Sequence, residues 1–239
     1  MPSRADLQVG PCKAYADAVD RRLFLSASGA TLVTEIFPEF FTRRGLYAQE
    51  LVQTPALTEG PFYPDRFPLD TDNDLLVIND SITPAVGDVT YLSGRVLGAL
   101  GGPVRNAVVE IWQVDSTASY IHTQGRNPKG FDRNFQGYGR FLTDARGQYY
   151  FRTIRPITYT LNSDFRAPHI HVAVSMNGKR VLTTQFGING HKDNNADPVF
   201  RGLSQAGHES VLVDFRPVRG SRIGELTANF DVVLGRNVA

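Results

Sequence analysis

The stretch Phe-Arg-Ala-Pro-His-Ile-His-Val-Ala-Val-Ser, residues 165–175, is the segment of this 239-residue chain that says most about its fold. Pro168 disfavours helix in the residue before it, and the β-branched residues that alternate along the segment favour an extended strand. Residues two apart on a strand project from the same face, so His169 and His171 are expected to point the same way. This is the spacing of a metal-binding pair, although a single histidine in a strand is more often structural.

Strand-like runs separated by turn signals continue on both sides of this segment. The turn signals include Gly101-Gly102-Pro103 and Asn177-Gly178, and no long stretch with helical periodicity competes with them. The pattern predicts an all-β fold, an antiparallel β-sandwich in one domain over residues 51–239. The predicted strands cover residues 89–93, 107–112, 149–154, 169–175, 181–186, 211–215 and 230–234.

Length and charge limit the classes of function. A chain of 239 residues with 41% hydrophobic residues can bury one substantial core, and a second full domain is not expected. The 25 basic and 24 acidic residues are spread along the chain, so no basic surface for nucleic acid is predicted. No run is long or apolar enough to predict a permanent membrane span.

Residues 1–50 differ in kind and are expected to be mainly irregular or helical. The segment Asp-Arg-Arg-Leu-Phe-Leu-Ser, residues 20–26, resembles a twin-arginine export motif. Glu35 and Glu39 interrupt the apolar part, so a degenerate leader or a short amphipathic helix for packing or dimer contact is the alternative. Export to the periplasm and a cytoplasmic location both stay open, because a single cysteine, Cys12, does not report the redox compartment. A homo-oligomer is equally open.

Two tyrosines in distinctive contexts, Tyr120 and Tyr159, extend the histidine pair to a set of four possible ligands. A phenol has a pKa near 10, so it stays protonated at neutral pH unless a strongly Lewis-acidic ion displaces the proton. Zinc sites are usually built from Cys, His and carboxylates, and blue-copper sites need a Cys. Two Tyr and two His without a nearby Cys therefore favour a hard trivalent ion, Fe(III).

At these residues the chain resembles the intradiol ring-cleavage dioxygenases, which open catechol-type aromatic diols with Fe(III) and O2. The resemblance covers roughly the last three-quarters of the chain. The matching segments are residues 57–64, 108–115, 135–140, 143–154, 166–171 and 184–186.

The resemblance implies that Tyr120, Tyr159, His169 and His171 are the four protein ligands of the iron. Tyr159 and His171 would be axial, and Tyr120 and His169 equatorial. A catechol-type diol would bind at the same centre and react with O2. The expected product is a muconate-type dicarboxylic acid.

The resemblance also implies which residues meet the substrate. Tyr159 would accept a proton from the diol, and Arg166 would lie beside the bound diol and stabilise the negative charge that develops on its ring. Gln185 matches a polar residue near the same pocket, and Tyr63 is a candidate for a wall that faces the substrate.

The chain departs from the family pattern close to both tyrosines. Ala118 stands where a glycine is expected before Tyr120, and Ile157-Thr158 stands where Gly-Pro is expected before Tyr159. These departures concern the pocket wall more than the metal. Catechol, protocatechuate and hydroxyquinol therefore stay open as substrates.

Two other interpretations are kept as alternatives. Non-catalytic prealbumin-like sandwich modules share the run from Thr143 to Phe151, but they have no need of a His-x-His pair or of the preceding arginine. A copper or zinc hydrolase would need His122, His191 or His208 as further ligands, and each of these lies in polar sequence typical of a surface loop.

Overall fold

A computed structural model describes residues 51–235, except residues 69, 79–81, 129 and 162. The predictions made for residues 1–50 lie outside the described residues. Within the described part, no helix is long and apolar enough to cross a membrane.

The described residues form two five-stranded sheets and one hairpin. The strands in chain order are β1 (Val89–Leu97), β2 (Val108–Trp112), β3 (Tyr138–Leu142), β4 (Gln148–Ile154), β5 (Tyr159–Leu161), β6 (Asp164–Arg166), β7 (His169–Met176), β8 (Lys179–Ile188), β9 (Leu212–Val213), β10 (Arg216–Pro217), β11 (Leu226–Asn229) and β12 (Val232–Val233). A 3₁₀ turn covers Phe200–Gly202, and one α-helix, α1, covers Gln205–Val211.

The first sheet is arranged around β1. Strand β4 pairs antiparallel with one edge of β1, while β11 and then β12 follow each other along the other edge in parallel orientation. Strand β10 closes this side by pairing antiparallel with β11.

The second sheet has the order β3-β2-β7-β8-β9 and places β7 at its centre. All its pairs are antiparallel except β8 with β9. The register of β7 against β8 shifts between Val174 and Ser175, which lies beyond the histidine pair. The two histidines therefore sit in a regular part of the central strand.

The core lies between the two sheets and is built by alternate residues. On β7, Ile170, Val172 and Val174 are fully buried, and they share the core with Leu92 of β1 and Phe151 of β4. Each such side chain contributes roughly 1.5–3 kcal/mol on burial. This apolar repeat makes the segment a strand and fixes its register.

The opposite face of β7 carries different chemistry. His169, His171 and Ala173 point away from the core and meet a second cluster that contains Trp112, Tyr120, Tyr138 and Tyr159. The site is therefore built on the outer face of the second sheet, under the loops and the β5–β6 hairpin.

The prediction of a β-sandwich is confirmed, with differences in detail: besides those that follow, the short strands β5, β6, β10 and β11 lie outside the predicted strands. Parallel pairs occur where β1 meets β11 and β12 and where β8 meets β9. The strand expected at residues 211–215 is only Leu212–Val213, because Val211 ends α1, whose first turn is capped by the Ser204 side chain accepting from Gly207 N. Strand β3 was not predicted; it contains Gly139, where a Cβ would lie 2.6 Å from the Asp72 carbonyl oxygen, and glycine weakens a strand pattern.

Candidate metal centre

The two histidines of β7 aim their Nε2 atoms at one point. These atoms are 3.2 Å apart, and both rings are almost fully buried. The strand period of two predicts their common face, and their neighbours on β2 and β8 hold that face in register. His171 lies opposite Trp112 on one side and opposite Gln185 on the other.

Tyr120 reaches the same point from the loop that follows β2. The Asp115 carboxylate shapes this loop, since Oδ1 accepts from the backbone N–H groups of Thr117 and Ser119 and Oδ2 accepts from that of Asp132. The loop turns at Ala118, which has a φ of 66°. That value explains the glycine expected at this position, because the left-handed region penalises residues with a Cβ.

Tyr159 arrives from the β5–β6 hairpin, in which it lies directly opposite Arg166. Residues opposite each other in an antiparallel pair place their side chains on the same face. The hairpin thus brings a phenol and a guanidinium together.

The four predicted ligands converge. The Tyr120 hydroxyl lies 2.9 Å from that of Tyr159, 3.3 Å from His169 Nε2 and 3.0 Å from His171 Nε2. The Tyr159 hydroxyl lies 3.5 Å from His169 Nε2. Five of the six pairs among the four side chains are therefore in contact. The sixth pair is Tyr159 and His171, the two residues for which the resemblance implies axial positions.

Burial sets the protonation states of the metal-free site. It lowers the pKa of His169 to about 3, with the positive charge of Arg166 adding to the effect, and it lowers the pKa of His171 well below its usual value. Burial also raises the pKa of Tyr120 well above 10, with Tyr159 adding to that shift. The pKa of Tyr159 is raised by burial as well, but its hydrogen bond with Tyr120 and the charge of Arg166 work against the rise. The site therefore holds two neutral imidazoles and two neutral phenols.

The two imidazoles are oriented by different means. His169 Nδ1 lies 2.7 Å from the carbonyl oxygen of Ala167, so Nδ1–H donates there and the Nε2 lone pair faces the phenols. The buried Nδ1 of His171 has no hydrogen-bond partner, and its ring instead stacks on Trp112.

These residues fit a metal ion. Bonds of about 2.0–2.2 Å from one metal to N and O donors place neighbouring donors about 2.8–3.8 Å apart at angles of 90–120°. The contacts of 2.9–3.5 Å found here lie in this range. Elsewhere in the described residues no three His, Cys, Asp or Glu side chains come together as a metal group. A buried cluster with two phenols suits an ion acidic enough to deprotonate them.

Arg166 is fixed beside the cluster by two side chains. Its Nε donates to Asp197 Oδ2 at 2.9 Å, and its Nη2 donates to Gln185 Oε1 at 2.5 Å. Gln185 in turn donates from Nε2 to the carbonyl oxygen of Thr58, so it ties the arginine to the segment that precedes Gly60. Asp197 did not emerge from the sequence: Asp197-Pro198 signals a turn, but nothing local indicates a contact with a residue 31 positions away.

Tyr63 lies near the cluster but its hydroxyl is engaged elsewhere. It donates to Glu110 Oε1 at 2.8 Å, and its ring meets Trp112 edge-on. The neighbouring Phe62 packs on Tyr120 with ring centroids 5.3 Å apart. Phe62 is therefore the aromatic residue of this segment that touches a predicted ligand.

The other three described histidines lie apart from the cluster. His122 Nδ1 accepts from Gln124 N, and His191 Nδ1 accepts from Asp193 N. The His208 ring bonds to the carbonyl oxygen of Phe200. These bonds are local, and they give no support to a second metal-binding set.

Two cavities differ in their relation to the cluster. One of about 320 Å³ borders the residues just before Tyr159 and His169, with Ile157, Thr158 and Pro168 in its wall. A groove of about 770 Å³ lies between α1 and β11, and its lining includes none of the predicted ligands. The lining of the smaller cavity includes none of the four predicted ligands either, but it contains Thr158 and Pro168, which precede Tyr159 and His169 in the chain.

Comparison with known proteins gives consistent matches. A family model described as Dioxygenase matches residues 58–235. The protocatechuate 3,4-dioxygenase beta chain of Burkholderia cepacia is 33% identical over 175 residues, which cover 71% of this chain and 73% of that protein. Catechol 1,2-dioxygenase 2 of Acinetobacter lwoffii is 32% identical over 151 residues, which cover 57% of this chain and 52% of that protein, so the match spans about half its length.

A solved structure matches the same part of the chain. It is the dioxygenase domain of a dioxygenase–carbohydrate-binding protein fusion from Streptomyces sp. SirexAA-E. The TM-score is 0.56 and the identity 28%, and the match covers 77% of this chain and 99% of that one.

Proposed function

Since this chain belongs to the intradiol ring-cleavage dioxygenase family, we propose that it cleaves a catechol-type aromatic diol between its two hydroxylated carbons and incorporates both atoms of O2. The product is a muconate-type dicarboxylic acid. The observation that carries this proposal is the buried meeting point of two phenols and two neutral imidazoles. A non-catalytic sandwich module has no use for such a cluster.

Fe(III) is the proposed metal, with Tyr120, Tyr159, His169 and His171 as its ligands. Two phenolates balance two of its three charges, and two neutral imidazoles add none. When bound, the iron supplies Lewis acidity toward the diol oxygens and a redox-active centre for their reaction with O2.

Tyr159 is assigned to accept a proton from a substrate hydroxyl at its Oη. Burial raises the pKa of both phenols and the Arg166 charge opposes both rises, but the hydrogen bond between them lowers the pKa of Tyr159 and raises that of Tyr120. It also sits on a short hairpin rather than inside a sheet, so its ring can move with less disturbance of the core.

Arg166 is assigned to stabilise negative charge on the bound diol. Its guanidinium is preorganised by Asp197 and Gln185, so little reorganisation is needed when charge develops. Gln185 uses both ends of its amide in this support. The wall near Ile157 and Thr158, where the chain departs from the pattern expected for the family, is assigned to select the ring substituents of the substrate.

A visible absorption spectrum of the purified, iron-loaded protein, recorded before and after anaerobic addition of catechol, tests the proposal. A phenolate-to-iron charge-transfer band that moves to longer wavelength with catechol supports it. Oxygen uptake with catechol, protocatechuate and hydroxyquinol then identifies the substrate. A colourless protein that retains no iron would overturn the proposal and favour the binding module.

A further inference from the structure

Asp197 is a buried carboxylate whose two oxygens are both fully engaged in hydrogen bonds. It is fully buried, and each carboxylate oxygen accepts two hydrogen bonds. Oδ2 accepts from Arg166 Nε and from the backbone N–H of Ala167, and Oδ1 accepts from the backbone N–H groups of Val199 and Phe200.

These bonds join three parts of the molecule at one carboxylate. Arg166 ends β6, and Ala167 leads into the histidine pair. Phe200 starts the 3₁₀ turn, and its ring lies edge-on to that of His169 with centroids 6.5 Å apart. Asp197 therefore sets the position of the arginine relative to the first histidine.

The hydrogen bonds of Arg166 to Asp197 and Gln185 leave some of its guanidinium N–H groups free to face the cluster. Of its five N–H groups, one is used by Asp197 and one by Gln185. The remaining N–H groups belong to a side chain that lies directly across the hairpin from Tyr159. If the bond to Asp197 were lost, the guanidinium could rotate about its long stem and lose this direction.

Stability alone is a weak reason to bury this ion pair. Removing two charges from water costs several kcal/mol per ion, and an apolar pair of similar volume is often as stable. A carboxylate can orient a guanidinium through directional hydrogen bonds, which an apolar residue cannot do.

We propose that Asp197 is a positioning residue for ring cleavage: its carboxylate holds the Arg166 guanidinium in the direction that faces the Tyr159 phenol and the bound diol. It acts through Arg166 and does not touch the substrate. The inference rests on the proposed function and adds to it a residue that controls the rate without ligating the metal.

The test is a double-mutant cycle on the iron-loaded full chain with Asp197→Asn, Arg166→Gln and both together. Asp197→Asn should keep the iron and the charge-transfer band, lower kcat by about 10- to 100-fold and change KM by less than about threefold, since the loss falls on the transition state. In the Arg166→Gln background, Asp197→Asn should cost less than about twofold more, because its partner is already gone.

Multiplicative losses in the cycle, or loss of iron by Asp197→Asn while Arg166→Gln retains it, would overturn the role of Asp197. If Asp197→Asn fails to fold, Asp197→Glu replaces it in the same cycle, since it keeps the charge and displaces the carboxylate by one methylene. The shift of the band on anaerobic addition of catechol provides a readout independent of turnover. With catechol bound, the band should lie at a different wavelength from that of the wild type, and Asp197→Asn and Arg166→Gln should change it in the same way. A colourless wild type defeats the proposed function itself, whereas a coloured, active wild type with multiplicative losses defeats only this inference.

Discussion

The indole of Trp112 lies flat against the imidazole of His171, with ring centroids 4.7 Å apart and 9° between the ring planes. The two residues face each other across β2 and β7. Ligating histidines usually donate their second ring N–H to a carbonyl or carboxylate, and that bond orients the ring. His169 has such a bond to the Ala167 carbonyl oxygen, whereas the His171 ring is held by stacking on Trp112 instead.

Replacing Trp112 tests this stack. The buried Nε1 of Trp112 has no hydrogen-bond partner, so Trp112→Phe removes no bond and keeps an aromatic face. We expect this variant to retain iron and the charge-transfer band. Trp112→Ala should cost about 3–5 kcal/mol in free energy of unfolding and lower the iron content. Equal iron content in the Phe and Ala variants would show that the stack does not orient His171.

Tyr159→Phe removes a proposed ligand while keeping the ring. We expect a weakened or displaced charge-transfer band and slower deprotonation of the diol, measured by stopped-flow absorption under anaerobic conditions. Tyr150→Phe is the matched control, because Tyr150 is a partly exposed tyrosine outside the cluster. A spectrum and rate like those of the wild type in Tyr159→Phe would remove Tyr159 from the ligand set.

His171→Ala should cost most of the iron.

Gly125 supports Tyr120 at close range. A Cβ at this position would lie 2.9 Å from the Tyr120 Cβ and 3.0 Å from the Phe62 ring. Gly125→Ala should therefore push Tyr120 out of place, lower stability by about 1–3 kcal/mol and weaken iron binding. Gly202→Ala is the control, since a Cβ there would meet nothing within 4 Å. Similar iron affinity in both variants would contradict the expectation.

Ala118 adopts a φ of 66°, which costs an alanine about 1–2 kcal/mol. Ala118→Gly relieves this strain but adds freedom to the unfolded chain worth about 0.5–1 kcal/mol. The net expectation is a gain of up to about 1.5 kcal/mol in free energy of unfolding, measured by urea denaturation. Ala118→Val should instead be less stable than the wild type. A loss in Ala118→Gly would mean that the loop is not strained at this residue.

The metal-free protein should lose stability as the pH falls below about 6.5. The pKa of His169 is lowered from 6.5 by folding, and that of His171 is lowered too. The unfolded chain therefore binds more protons than the folded chain in this range, and the free energy of unfolding falls with pH. Between pH 7.5 and 5.5 the shift at His169 should cost about 1.4 kcal/mol, and that at His171 should add to the loss, both read from urea midpoints. His169→Gln should reduce this slope, and a stability that does not fall toward pH 5.5 would refute the prediction.

The orientation of the histidine pair can be predicted from the local sequence alone. Its common face follows from the period of a strand and from the buried apolar residues that alternate with the histidines, Ile170, Val172 and Val174, all within a few positions of each other. The convergence of Tyr120 and Tyr159 has no such local rule, since they arrive from separate loops and were assigned through family resemblance. The bond between Asp197 and Arg166 depends on tertiary packing over 31 positions and left no pattern in the sequence.

The strands were predicted best where their side chains alternate regularly. Strand β3 is not predicted because Gly139 interrupts the apolar pattern, and a glycine is needed there because the Asp72 carbonyl oxygen packs against it. Residues 205–211 form a helix although they contain a glycine. In β3 the close approach of the Asp72 backbone to Gly139 outweighs the local propensity, whereas the helix is supported by its local Ser204 cap.

Strand β7 carries the core on one face and the site on the other, and this has a consequence for how the protein can change. A substitution that changes a side chain on one face leaves the residues of the other face pointing as before. Insertions are a different matter. A single extra residue before His169 would turn both imidazoles into the apolar interior and expose Ile170 and Val172 to the phenols, so the spacing of this strand is under tighter constraint than the identity of most of its residues.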